Sequence, residues 1–255
     1  MNTIKWMGRC TALGIFLASV AAVANPADNA MARQEQVVAY LKKSAAEVTA
    51  NALAGVNSLE DWKAMRAEKH REYLYMLGLD PMPERTPLEA QVTGVINAPG
   101  YRVEKIVFQS SPRLYVTGNF YLPDGATTAL PTILYVCGHS PHPLGAKYQY
   151  QDRAQWFVEN GYACLIIDTL EFGEVAGIHH GLHNLNMWRW LSSGYTPAGV
   201  EVWNAMRAID YLETRDEVDA KRIGITGISG GGAVSWYAAA ADERIAVAAP
   251  VCGTF

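Results

Sequence analysis

Cysteine is scarce in this 255-residue chain: Cys10, Cys137, Cys164 and Cys252 are all there are. Their spacing matches neither a disulfide framework nor a zinc site, which removes the small stapled folds from consideration. Positive charge is also lacking. Lys and Arg number 21 against 25 Asp and Glu, a net charge of -4, and no basic stripe is evident, which argues against a nucleic-acid partner. No internal repeat and no low-complexity tract is found, so solenoids and disordered arrays are excluded. What is present is 50% hydrophobic residues over a length that can bury the core of one large α/β domain. The 7 Trp and 13 Tyr suit a sugar- or aryl-binding surface and an ordinary core equally well.

One long apolar run stands out, Cys10 to Val23, preceded by Lys5 and Arg9 and closed by Ala22-Val23-Ala24. That is the pattern of a signal peptide, residues 1–24, with cleavage after Ala24. The run is short and Ala/Gly-rich for a membrane span, and a retained anchor is the alternative. Cys10 is not preceded by a Leu-x-small lipidation pattern. The expectation is therefore a secreted or periplasmic protein with no membrane association after cleavage. Cys137, Cys164 and Cys252 then remain, an odd number, each beside an apolar run (TILYVCG, ACLIID, AAPVCG). Buried, unpaired structural thiols are expected.

Residues 25–90 read as a helical extension. Met31 to Val48 and Leu59 to Leu77 carry helical periodicity, the second with Ser58 as N-cap, Asp61 three residues on, Gly78 at its end and Pro81 beyond. From Gln91 the period switches to two. Val92 to Asn97, Tyr101 to Gln109 and Leu114 to Leu122 read as antiparallel strands, with Pro99-Gly100 and Ser111-Pro112 as turns. Thr132 to Val136, Ala163 to Ile167, Arg222 to Thr226 and Ile245 to Val251 are continuously apolar, the pattern of parallel strands buried on both faces. Helices are expected between them at Gln151 to Asn160, Pro197 to Thr214 and Gly231 to Ala241. This alternation predicts a mostly parallel, doubly wound sheet over residues 91–255. The longest irregular stretch, Leu170 to Tyr195, follows a strand's C-terminal end, where open α/β sheets place ligands.

The motif that carries chemistry is Gly227-Ile228-Ser229-Gly230-Gly231. Alone, G-x-S-x-G is weak. Here a strand (RIGIT) enters it and an Ala-rich helix (GGAVSWYAAAA) leaves it, the setting a nucleophile elbow requires. Flanking glycines relieve the sharp turn, and the serine meets the positive end of a helix. A Gly-rich turn that binds phosphate or merely packs is the competing reading.

From about Gln91 to Phe255 the chain resembles α/β-hydrolases of the acetyl xylan esterase and cephalosporin-C deacetylase type, close to dienelactone-hydrolase-like relatives. LYVTGNFYLP, VCGHS, DTLEFGE and EVDAKRIGITGISGGG carry the likeness. The resemblance implies the α/β-hydrolase fold, with antiparallel N-terminal strands ahead of the parallel body. It also implies ester hydrolysis through an acyl-enzyme on Ser229, with backbone oxyanion donors at Gly230 and at His139 or Ser140. Small acyl groups on carbohydrate are the implied substrate, and no cofactor is implied. Two departures stand out: Cys137-Gly138-His139 replaces the commoner His-Gly-x, and the acid and histidine that follow the serine in such families are expected beyond Phe255. Trp188, Trp190 and Tyr195 are candidates for a sugar-stacking wall. His179, His180 and His183 lie on the long loop, where one could stand in as base; HHGLH also has partial metal spacing, but without a third ligand no metal is expected. For Asp168, Glu171 and Glu174 a loop-bonding role is expected rather than acid catalysis. Two other classes stay open, a serine peptidase of the prolyl-oligopeptidase kind and a catalytically incomplete fragment or binding module. The strand at 245–251 is expected to present an open, association-prone edge.

Overall fold

The computed structural model describes residues 26–140, 142–175, 177, 178 and 181–253; the expected signal peptide, His179 and His180 lie outside them. The chain divides into two compact units, residues 1–61 and 62–255. In the first, helix α1 (Pro26–Asn51) has exposed side chains almost throughout its described length. Helix α2 (Leu59–Leu77) starts as its sequence dictates. Asp61 N–H donates to Ser58 Oγ at 3.1 Å, and Asn57 N–H donates to Asp61 Oδ2 at 3.0 Å, a reciprocal cap. It ends at Gly78, whose φ of 79° lets Leu79 N–H reach back to Leu74 O at 2.8 Å.

The larger unit is a seven-stranded sheet. Strands β1 (Gln91–Ala98), β2 (Tyr101–Ser111) and β3 (Leu114–Pro123) form an antiparallel meander. Strand β4 (Leu130–Val136) is followed by helices α3 (Ala146–Gln149) and α4 (Gln151–Glu159), then β5 (Ala163–Ile167). Two single-turn helices, α5 (Gly181–Asn184) and α6 (Arg189–Ser192), sit in the long segment read as irregular, ahead of α7 (Pro197–Glu213), β6 (Val218–Ile228), α8 (Gly230–Ala241) and β7 (Ile245–Val251). The strand order is β1-β2-β3-β5-β4-β6-β7, with β3–β5 antiparallel and β5-β4-β6-β7 parallel. An antiparallel start and a doubly wound parallel body is the α/β-hydrolase arrangement the sequence pattern predicts.

Alternation along the central strands builds two cores. Leu134 and Val136 of β4 join Leu165 of β5, Ile225 of β6 and Ile209 of α7 on one face. Tyr135 of β4 and Cys164 and Ile166 of β5 face α4 on the other. Helix α7 is buried along most of its length and is capped by Thr196, whose Oγ1 accepts from Gly199 N–H at 2.9 Å and donates to Leu77 O at 2.6 Å. That bond docks the end of α2 against the start of α7.

Two readings need correction. Strand β7 is not buried on both faces; it is the outermost described strand, paired to β6 alone, and Val247 is 62% exposed. Its apolar run belongs to the edge of the described sheet, where one side has no strand neighbour among the described residues. Cys252, just past that edge, is exposed for the same reason, whereas Cys137 and Cys164 are buried; all three thiols are free.

The loops after β4 and β5 are joined by a buried charge pair. Asp168 Oδ1 accepts from Lys147 N–H at 2.9 Å, its other oxygen is ion-paired with Lys147 Nζ, and Glu174 meets the same ammonium at 2.7 Å. Burial works against charge on Lys147, yet the two carboxylates outweigh it and hold its pKa above the ordinary lysine value. The carboxylate packs so closely on Gly145 and Gly173 that a Cβ there would come within 2.6 Å and 2.4 Å of its oxygens. Asp168 is thus engaged in holding loops, the bland role its sequence context suggests.

Candidate active site

At the joint of β6 and α8, Ser229 has φ 59° and ψ -121°, a backbone conformation that costs a non-glycine residue free energy. Surrounding contacts hold it there. Ser229 N–H donates to Val251 O at 2.9 Å, and Ser229 O accepts the first bond of α8, from Ala233 N–H, at 3.0 Å. The amides of Gly230, Gly231 and Gly232 therefore precede the helical ladder and have no intrahelical partner. They gather at the positive end of α8, beside an exposed serine.

The glycines are required by approach distances. A Cβ at Gly227 or at Gly231 would stand 2.1 Å from the same atom, the Val136 carbonyl oxygen. One at Gly138 would stand 2.4 Å from Ile228 O, and one at Gly230 would stand 2.7 Å from the His139 ring. The elbow and the loop after β4 are pressed together with no room for side chains. Thr169 fixes that loop from the other side, its hydroxyl shared between Cys137 O at 2.6 Å and Gly138 O at 2.9 Å. The arrangement brings His139 and Gly230, the two expected oxyanion donors, next to each other. Ser140 is buried instead, its hydroxyl donating to Gln149 Oε1.

Beside the elbow lies a cavity of about 810 Å³, lined among others by His139, Gly230, Trp190, Tyr195, Glu201 and Tyr237. Trp190 and Tyr195 are 43% and 62% exposed, so they wall the cavity rather than fill the core. Trp188 does not line it; its ring meets that of His183 edge-on at 4.8 Å. His183 borders the cavity, but among the described residues no group of three or more His, Cys, Asp and Glu is placed to hold a metal. Nor, among the described residues, does any side chain hydrogen-bond Ser229 Oγ.

Glu201 is the residue that sequence reasoning missed. It sits in the buried helix α7, and its Oε1 accepts from Leu170 N–H at 2.9 Å. Burial pushes its carboxyl up to about 7, with Glu171 adding to the shift and the Leu170 bond opposing it. The sequence signal was a lone acid inside the apolar run Gly199-Val200-Glu201-Val202-Trp203.

The model of the X-Pro dipeptidyl-peptidase (S15) family matches residues 114–255, more than half of the chain. The chain belongs to the S15 family. That family lies in the α/β-hydrolase group, in line with the motifs above. YtaP of Bacillus subtilis (strain 168), whose name places it among hydrolases, is 25% identical over 197 residues, 74% of this chain and 64% of YtaP. The fold is shared with an acetyl xylan esterase of Paenibacillus sp. R4, at 23% identity and TM-score 0.54, covering 72% of this chain and 58% of that one. It is shared too with a glucuronoyl esterase of Solibacter usitatus, at 20% identity and TM-score 0.56, covering 74% and 58%. The chain spans less than two thirds of the length of each of these three relatives.

Two outcomes follow from this geometry. Gly231→Ala should lower the unfolding free energy by at least about 2 kcal/mol, because its Cβ meets a backbone oxygen that cannot move away. Gly161→Ala, at φ 83° with nothing within 4 Å, should cost only about 1 kcal/mol; equal losses in urea unfolding would refute the packing argument. The second concerns pH. An acid whose folded pKa (about 7) exceeds its ordinary value of 4.5 takes up a proton on folding, so it weakens the fold as pH rises across that interval. Glu201→Gln should therefore be more stable than the parent at pH 8, by up to about 3 kcal/mol, and not at pH 4. The same difference at both pH values would show that Glu201 does not titrate in this way.

Proposed function

We propose that this S15-family chain is an exported serine carboxylic-ester hydrolase that removes small acyl groups, acetyl foremost, from carbohydrate. The observation that carries the reading is the strained Ser229 backbone (φ 59°) at the head of a helix opening with three glycines. A strained serine, unused amides and a neighbouring cavity form the constellation acyl transfer needs.

In this reading Ser229 Oγ attacks the ester carbonyl carbon while its proton passes to a base. The Gly230 and His139 amides receive the developing oxyanion, each such donor worth on the order of 3 kcal/mol in the transition state. The alcohol leaves with the proton, and water then cleaves the acyl-enzyme to carboxylate and free serine. We assign the base and its acid partner to groups outside the described residues. Trp190 and Tyr195 would supply apolar walls for a sugar ring. The N-terminal pattern at residues 1–24 supports export. Among the described residues, no helix is long and apolar enough to cross a membrane.

Membership of the S15 family favours a second reading, peptide hydrolysis by the same serine. Rates on 4-nitrophenyl acetate and acetylated xylan, set beside those on an X-Pro 4-nitroanilide, discriminate the two. Ester turnover that falls by about 10⁴-fold or more in Ser229→Ala is the expected result. Amide turnover without ester turnover would establish the peptidase, and ester turnover untouched in Ser229→Ala would refute both.

A further inference from the structure

Helix α7 brings the Glu201 carboxylate into a cavity whose walls are largely apolar and aromatic. Val200, Ala198, Ala233, Val234, Trp190 and Tyr237 line it alongside Glu201. One oxygen of Glu201 is taken by the Leu170 amide. For the other, no hydrogen bond and no ion pair exists among the described residues. Glu201 is only half-buried and lines the cavity, so that oxygen is open to a ligand entering it.

No structural duty explains the carboxylate. The bond to Leu170 would be served by an amide or a water, and the ion pairs that tie α7 to its surroundings run from Asp210 to Arg85 and Arg244 and from Glu213 to Arg244. The remaining lone pairs can accept from water in the cavity or from a ligand hydroxyl that displaces it. The other charged or titratable groups bordering the cavity are Glu171, His139, His183 and Arg189, with the Cys137 thiol and the phenols of Tyr195 and Tyr237. Arg189 and His183 are exposed, and neither is ion-paired with Glu201 among the described residues. A neutral donor such as a hydroxyl suits the site, because burial leaves Glu201 close to the balance between its neutral and charged forms near pH 7. Flanking Trp190 and Tyr195 offer flat apolar faces of the kind that pair with a sugar ring, whose edge is lined with hydroxyls.

We infer that Glu201 is a specificity-determining residue of this cavity, accepting a hydrogen bond from a free hydroxyl of the carbohydrate that bears the ester. The inference rests on the carbohydrate-ester reading above and adds to it the group that distinguishes a partly acylated sugar from an apolar ester of equal size. A site built to accept from a hydroxyl discriminates strongly against a ligand lacking one.

Binding separates this from catalysis. Ser229→Ala, unable to form the acyl-enzyme, is titrated calorimetrically with methyl 2-O-acetyl-β-D-xylopyranoside and with its 3,4-di-O-methyl ether. The ether keeps the ring and the acetyl group but has no hydroxyl. Ser229→Ala should prefer the hydroxyl-bearing ligand by about tenfold. Adding Glu201→Leu should bring that preference close to one while leaving affinity for the ether unchanged, and adding Glu201→Gln should retain part of it. Binding of both ligands without preference, or a preference untouched by Glu201→Leu, overturns the inference and leaves the esterase reading standing. Equal loss of both ligands in Glu201→Leu, with the fold intact by thermal unfolding, also overturns it, because a hydroxyl reader must spare the ether. Binding of neither ligand by Ser229→Ala refutes the carbohydrate reading itself. Glu201-dependent binding of an X-Pro dipeptide in place of either sugar would assign the carboxylate to an ammonium and overturn the inference as well.

Discussion

The Val136 carbonyl oxygen is the fixed point about which the candidate site is built. It stands where a Cβ of Gly227 and a Cβ of Gly231 would both come within 2.1 Å, so the ends of β4 and β6 and the start of α8 can only meet as bare backbone. That contact forces Ser229 into its positive-φ conformation, since the chain must leave β6 and enter α8 with no lateral space to turn. It also sets the glycine amides of α8 beside Gly138 and His139. The positive φ of Ser229 and the placing of the α8 N-terminus against the loop after β4 both accompany this one close approach.

The loops above this joint are held by different means. Asp168 and Lys147 lock the segments after β5 and β4 to each other through a buried ion pair, and Thr169 binds the carbonyls of Cys137 and Gly138. A pair buried that deeply contributes position more than stability, because desolvating both charges offsets most of their attraction. Beyond Thr169 the segment loosens into single turns, and the cavity opens between it and α7. Closely packed backbone forms the elbow, whereas the aromatic walls beyond it, Trp190 and Tyr195, are exposed.

The strands and helices were legible because their signals are local. Period-two runs from Gln91, apolar runs such as Thr132 to Val136, and the Ser58/Asp61 cap each specify their element through nearest neighbours. The elbow was legible because G-x-S-x-G stood between a strand and a helix. What escaped the sequence depends on what lies across space. The apolar run of β7 reads as a strand buried on both faces, whereas it is the edge of the described sheet, the position expected for residues 245–251. Trp188 and Trp190 look equivalent in the chain, yet only Trp190 lines the cavity, because two positions apart on the turn of α6 they point to opposite sides. Glu201 escaped because one acid on a helix is ordinary; its meaning comes from the cavity it lines and from Leu170, 31 residues away in the chain.

The central claim is that Ser229, held at this elbow, is the nucleophile. A fluorophosphonate reacts covalently only with a serine so activated, and peptide mapping identifies which one. The account predicts a single phosphonyl adduct on Ser229, formed at a rate that falls when Gly231→Ala disturbs the elbow. An adduct on another serine, or none on Ser229 while the protein remains folded and hydrolytically active, would contradict it.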